Sequence, residues 1–164
     1  MNDIDWNDRD NELLTNDEKL SSQCSLEFFK STGKGGQKKN KTSSAVRLVH
    51  KPTKIEAISG NRRSQKENRA IALKHMKMNL ALAWRKVPAE KWNGPFNQNE
   101  KNPQFPLVSA VVLDHIYEQG WQVSKAAEKL GLSTGQLIRF LKKHVDLWQK
   151  VNQERERLGL NKLK

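Results

Sequence analysis

The chain has 164 residues, with 30 lysines and arginines against 18 acidic residues, a net charge of +12 and an isoelectric point near 9.9. Such a chain holds one medium domain or two small ones, and its positive balance favours a polyanionic partner such as a nucleic acid. No apolar run approaches the roughly 18 residues needed to span a bilayer, which argues against a membrane partner, and the single Cys24 excludes an internal disulfide.

Residues 1–27 carry two basic and eight acidic residues. An acidic start is the opposite of a secretory or organellar leader, so the expected location is cytoplasmic. Residues 1–14 read as an acidic disordered tail, with masking of a basic face as the alternative role. Residues 15–86 form the first expected domain. Thr15-Asn16-Asp17-Glu18 has capping-box spacing, and the helix it starts should end before Cys24, a small thiol expected to be buried. Strands are expected at Ser25 to Lys30, Ala45 to His50 and around Ile55 to Ile58, with Lys51-Pro52-Thr53-Lys54 turning between the last two. Ser64 and Glu67 then cap a helix whose stripe runs through Ala70, Leu73, Lys77, Leu80 and Trp84. The fold class is therefore α+β: a small antiparallel sheet with a packed helix and a projecting loop.

That loop is the run from Lys30 to Arg47, which contains Gly33, Gly35 and Gly36 followed by Gln37. The glycines permit backbone angles and close approach that bulkier residues obstruct. Gln37 donates and accepts hydrogen bonds but has no pKa near neutrality, which suits orienting a water or an oxyanion and not general-base work. Taken alone, the tripeptide reads more often as a solvated Gly-Lys loop. Residues 28–86 hold sixteen basic and only two acidic residues, Glu56 and Glu67, so the positive field coincides with this segment. Ser43 and Ser44 have no local base, and the four histidines, His50, His75, His115 and His144, have no second ligand at metal spacing. Neither a metal nor a cofactor is expected, and any hydrolytic site must be completed by a partner.

Residues 87–106, with Pro88, Gly94, Pro95, Pro103 and Pro106, read as a linker; Trp92, Phe96 and Phe105 leave open whether it is docked or solvated. Residues 107–164 read as a small all-α module. Val108, Val111, Val112 and Ile116 mark one helix, and Ser124 to Ser133 followed by Leu137, Ile138, Phe140 and Leu141 has a helix-turn-helix pattern, with Gly131 at the turn and Ser133 as cap. Its polar face offers Gln136, Arg139, Lys142 and Lys143 as candidate RNA contacts. A three-helix packing module with a solvated basic face explains the pattern as well.

Ser31-Thr32-Gly33, Gly35-Gly36-Gln37, Asn40-Lys41-Thr42, Ser44-Ala45-Val46-Arg47 and Arg63-Ser64-Gln65-Lys66-Glu67-Asn68-Arg69 occur in order within residues 24–86. Together they resemble the catalytic domain of class I peptide chain release factors and their codon-independent ribosome-rescue relatives. Lys38-Lys39 departs from the His-Val that many members have after the glutamine. The resemblance implies hydrolysis of peptidyl-tRNA in the ribosome, with Gly35, Gly36 and Gln37 as the catalytic residues: the glycines let Gln37 reach the ester, its backbone N–H stabilises the oxyanion, and its side chain admits water. It implies that Lys34, Lys38, Lys39 and Lys41, extended by Arg47, Arg62, Arg63 and Arg69, meet ribosomal RNA, and that Ser31, Gly33 and Asn40 position the loop. The implied partners are large-subunit ribosomal RNA, peptidyl-tRNA and a glutamine methyltransferase acting on Gln37; a monomer is expected. No segment here matches the codon-reading domains of the full factors, so rescue without stop-codon recognition is the expected function. The competing expectation is a non-catalytic nucleic-acid-binding protein using the helix-turn-helix.

Overall fold

The computed structural model describes residues 9–30, 43–90, 92 and 94–164, and the chain folds as two compact units, residues 1–80 and 81–164. The first unit begins with two short helices, α1 (Arg9–Leu14) and α2 (Asp17–Ser22), followed by strands β1 (Cys24–Phe29), β2 (Ala45–His50) and β3 (Glu56–Ser59). The strands form one antiparallel sheet in the order β1-β2-β3, with Leu26 opposite Leu48 and Leu48 opposite Ala57. Opposed residues share a face, and this one buries Cys24, Val46, Leu48 and Ala57. The long helix α3 (Gln65–Ala83) follows. Its buried positions Asn68, Ala72, Met76 and Leu80 recur every fourth residue, the spacing of one helical face.

Side chains of α3 also satisfy the open edge of the sheet. Asn79 Nδ2 donates to Glu56 O at 2.7 Å, and His75 Nδ1 lies 3.1 Å from Ile58 O, which can only accept. Lys77 donates to Thr15 O at 2.8 Å and to Asp17 Oδ1 at 3.0 Å, tying α3 to the start of α2. An edge strand whose carbonyls are occupied is a poor template for further pairing.

Several sequence expectations shift here. The stretch expected to be a tail contains α1: Leu13 is buried, and Glu12 Oε1 accepts from Gln23 Nε2 at 2.7 Å. Acidic composition suggested disorder, but Arg9 and Leu13 are both buried in this helix. The cap of α2 is Asn16 and not Thr15, its Oδ1 accepting from Lys19 N at 2.8 Å. Ala70 is exposed, and the adjacent register through Asn68, Ala72 and Met76 faces inward. Strand β2 has the expected bounds, and Lys54, at φ 61°, closes the turn before β3.

His50 and Cys24 oppose each other across the β1–β2 ladder, and both are buried. Burial pushes the Cys24 thiol up, away from the reactive thiolate. Burial likewise pushes His50 below the ordinary imidazole range, with Glu12 opposing more weakly. The unfolded chain then binds the proton more readily than the folded one, so stability is lost as pH falls below about 6.5 toward the depressed folded pKa. Urea unfolding of the first unit should show this loss between pH 7 and pH 5, at no more than about 1.4 kcal/mol per pH unit for one proton. His50→Gln should flatten that slope; an undiminished slope would place the titration elsewhere.

The second unit contains α4 (Phe105–Glu118), α5 (Val123–Lys129), α6 (Thr134–Leu141) and α7 (Val145–Arg157). Residues 85 and 86 are fastened to α4: Arg85 Nη1 donates to Ala110 O and to the buried Asp114 Oδ1, both at 3.0 Å, and Lys86 N–H donates to Asp114 Oδ1 at 3.2 Å. Phe105, expected in the linker, instead opens α4 and is buried, its ring 5.5 Å from that of Phe140. Gly131, at φ 68°, makes the turn between α5 and α6, and Ala126 and Ala127 are buried behind it. Ser133 and Gln136 form a complete capping box at the start of α6. Beyond α7, Gly159 at φ 72° and the bond from Leu160 N–H to Arg155 O reverse the chain, and Leu163 N–H then donates to Asn152 Oδ1 at 2.7 Å.

Candidate functional site

Ser31, Gly33, Lys34, Gly35, Gly36, Gln37, Lys38, Lys39, Asn40 and Lys41 lie outside the described residues. Their place in the topology is fixed by what flanks them. Phe29 ends β1 directly opposite Ala45, which begins β2. Residues 30–44 therefore connect two neighbouring antiparallel strands at one end of the sheet.

The described residues at that end converge on Asn68. This side chain is fully buried near the start of α3, and its amide uses its full complement of donors and acceptors. Its Oδ1 accepts from Ser59 Oγ at 3.2 Å and from Arg62 N–H at 3.0 Å. Its Nδ2 donates to Ser44 O at 2.7 Å and to Arg62 O at 2.8 Å. One amide thus joins the end of β3, the link to α3 and the residue just before β2. Gln65, exposed in the first turn of α3, adds a bond from Nε2 to Ser43 O at 2.7 Å. Ser64 Oγ accepts from Glu67 N–H at 3.4 Å, which gives α3 the expected cap.

Of the cations expected to face RNA, Arg62 and Arg63 are exposed in the link between β3 and α3. Arg69 is exposed on α3 and donates from Nη2 to Ser21 Oγ at 2.6 Å. Lys66, exposed one turn earlier, lies on the same end of the helix. Arg47 has a different role: its guanidinium grips Glu56, with Nη2 2.7 Å from each carboxylate oxygen and Nε 3.1 Å from Oε2. The hydrogen-bonded Glu56 carboxylate holds Arg47 still more firmly protonated, and Glu27 stands 3.9 Å away on the other side. Its charge is met within the sheet.

In the helical unit the expected contacts also divide. Arg139 is exposed on α6. Gln136 Oε1 is occupied by Ser133 N–H at 2.8 Å. Lys142 Nζ sits 5.1 Å over the Trp148 ring, while Lys143 Nζ donates to Gln98 O at 2.8 Å and lies 5.5 Å from the Phe140 ring centroid. Among the described residues no group of three His, Cys, Asp or Glu is placed to hold a metal ion, and no helix is long and apolar enough to cross a membrane.

Gln65 and Asn68 lie in the Arg63 to Arg69 motif, which by itself assigns neither a role. A signal was present for Asn68. Asparagine is a weak helix former, and here it occupies the first position of an otherwise apolar i, i+4 series.

The whole of the first unit's sheet and α3 fall within residues 17–103, which match the RF-1 domain. The chain belongs to the RF-1 domain family. It is 47% identical over 55 residues to peptide chain release factor 2 of Campylobacter fetus subsp. fetus (strain 82-40), covering 34% of this chain and 15% of that protein. It is 50% identical over 54 residues to peptide chain release factor 2 of Helicobacter pylori (strain ATCC 700392 / 26695), covering 33% and 15%. A longer match, 34% identical over 97 residues, is to peptide chain release factor 1 of Acidiphilium cryptum (strain JF-5) and covers 55% and 28%. The chain thus spans between 15% and 28% of the length of these relatives. Helices α4 to α7 lie beyond the family match.

Proposed function

We propose that the protein hydrolyses peptidyl-tRNA in the ribosome without reading a stop codon, releasing nascent chains from stalled ribosomes or large subunits. The observation that carries this reading is Gly35-Gly36-Gln37 set within the family match, on the connection between the two strands opposed at Phe29 and Ala45. In this reaction water attacks the ester carbonyl that joins the peptide to the terminal ribose. An oxyanion develops, the bond to the ribose oxygen breaks, and that oxygen leaves with a proton. Gln37 contributes a backbone N–H to the oxyanion and a side chain that admits water, the kind of group whose value lies in fixed placement and not in titration. Ribosomal RNA and the tRNA supply the rest of the site.

Lys34, Lys38, Lys39 and Lys41 neutralise RNA phosphates beside the loop, and the exposed Arg62, Arg63 and Arg69 extend that surface. Arg47, occupied by Glu56, contributes less to it. Ser31, Gly33 and Asn40 shape the loop, and Gln37 is a substrate for a glutamine methyltransferase. The protein acts as a cytoplasmic monomer without a cofactor.

Release should proceed at rates within about threefold of one another on ribosomes with a stop codon, a sense codon or no codon in the A site, since only differential contacts discriminate. A stop-codon preference of tenfold or more would remove the codon-independent part of the reading. Electrostatics provides a second check. The variant Lys38→Glu/Lys39→Glu should weaken ribosome association and flatten its log-log salt dependence by about one unit per lost phosphate contact. Binding that ignores ionic strength in the unaltered protein would show this basic surface to be solvated.

A further inference from the structure

We infer that Gln65 and Asn68 are positioning residues that clamp two consecutive carbonyls, Ser43 O and Ser44 O, and thereby set how the Gly-Gly-Gln segment is presented; the catalytic consequence rests on the release reading above. The two donors are on the first turns of α3 and reach across 22 and 24 residues of sequence to adjacent peptide groups at 2.7 Å each. The sheet alone orders the chain only as far as Ala45, where β2 begins opposite Phe29. The clamp extends that order by two residues toward Gln37.

Gln65 is informative because it is exposed. A single surface bond of this kind contributes about 0.5–1.5 kcal/mol, too little to decide whether the unit folds. Restricting a peptide group at the end of a loop is a different matter. The Ser43 and Ser44 peptides are the last described backbone before that segment on the β2 side, so they set where it enters the sheet. A misplacement of about 1 Å can cost on the order of 100-fold in rate. Asn68 also holds both backbone groups of Arg62. The same side chain therefore sets the root of the segment and one of the exposed arginines in register.

The test uses the full chain with Gln65→Met, neutral and of similar size but lacking the donor, and Gln65→Lys, which restores one. Hydrogen exchange of residues 43–47 in the free protein and release at saturating and subsaturating ribosome concentration are read together. Gln65→Met should speed exchange there at least threefold while leaving α4 to α7 unchanged, and lower the saturating release rate about tenfold with an unchanged half-saturating concentration. Gln65→Lys should recover both. Exchange unchanged by Gln65→Met overturns the clamp. A shift confined to the half-saturating concentration also overturns it, because Gln65 would then be an RNA contact. A native chain that releases no peptide overturns the proposed function and the catalytic consequence, while the exchange comparison still decides the clamp.

Discussion

Gln37→Ala is expected to lower single-turnover peptide release by about 100-fold or more while leaving ribosome association within about twofold of the unaltered protein. The magnitude follows from its proposed role. Alanine keeps a backbone N–H but loses the side chain proposed to admit water. Because neither residue titrates near neutrality, the deficit should be the same from pH 6.5 to pH 8. A loss that appears in binding and not in the saturating rate would make Gln37 an affinity contact. The comparison needs saturating factor, so that chemistry and association are separated.

Asn68→Ala should destabilise the first unit by about 2–4 kcal/mol in urea unfolding, the largest effect on stability expected from any single polar side chain there. The substitution removes four hydrogen bonds, but the four partners do not suffer equally. Arg62 is exposed, so water can replace its lost bonds; Ser44 and Ser59 are buried, so theirs are left wanting. Asn68→Asp is the sharper probe. It keeps the volume but turns a donor into an oxygen facing Ser44 O and Arg62 O, and buries a charge. Its cost should therefore exceed that of alanine at pH 7 and shrink as the carboxyl protonates toward pH 4. An Asn68→Ala protein as stable as the native one would show that these bonds exchange freely with solvent.

The strands and α3 were legible in the sequence because their determinants are local. Alternation in Ala45 to His50, the Lys51 to Lys54 turn and the Ser64 cap each act within a few residues. The same holds for α6, whose Ser133 and Gln136 lie three residues apart and complete the cap that the pattern required. What the sequence concealed depends on partners far along the chain. Arg47 counted as an RNA-facing charge until the β2–β3 register brought Glu56 beside it. Lys143 counted as a contact on the helix-turn-helix face, whereas its ammonium is held by the Gln98 carbonyl, 45 residues earlier. Arg9 and Leu13 are buried in α1, in a stretch whose composition alone suggested a tail. At the candidate site the motif pointed to Gln37, which lies outside the described residues, and the bonds of Gln65 and Asn68 emerged only when Ser43 and Ser44 were seen across from α3.

In the helical unit the residues expected to meet nucleic acid also make bonds within the unit. Gln136 is committed through its oxygen to the cap, and Lys142 and Lys143 lie over aromatic rings, although Gln136, Arg139 and Lys142 are all exposed and Lys143 is half-buried.

The most direct test of ribosome-dependent hydrolysis is a paired release measurement with one labelled peptidyl-tRNA, bound in the P site of a ribosome in one arm and free in solution in the other. The account predicts that the full chain liberates peptide from the ribosome and leaves the free peptidyl-tRNA intact over the same interval, since a glutamine side chain does not titrate near neutrality and the proposed site is completed by ribosomal RNA. Equal hydrolysis in both arms, or none on the ribosome, would contradict it.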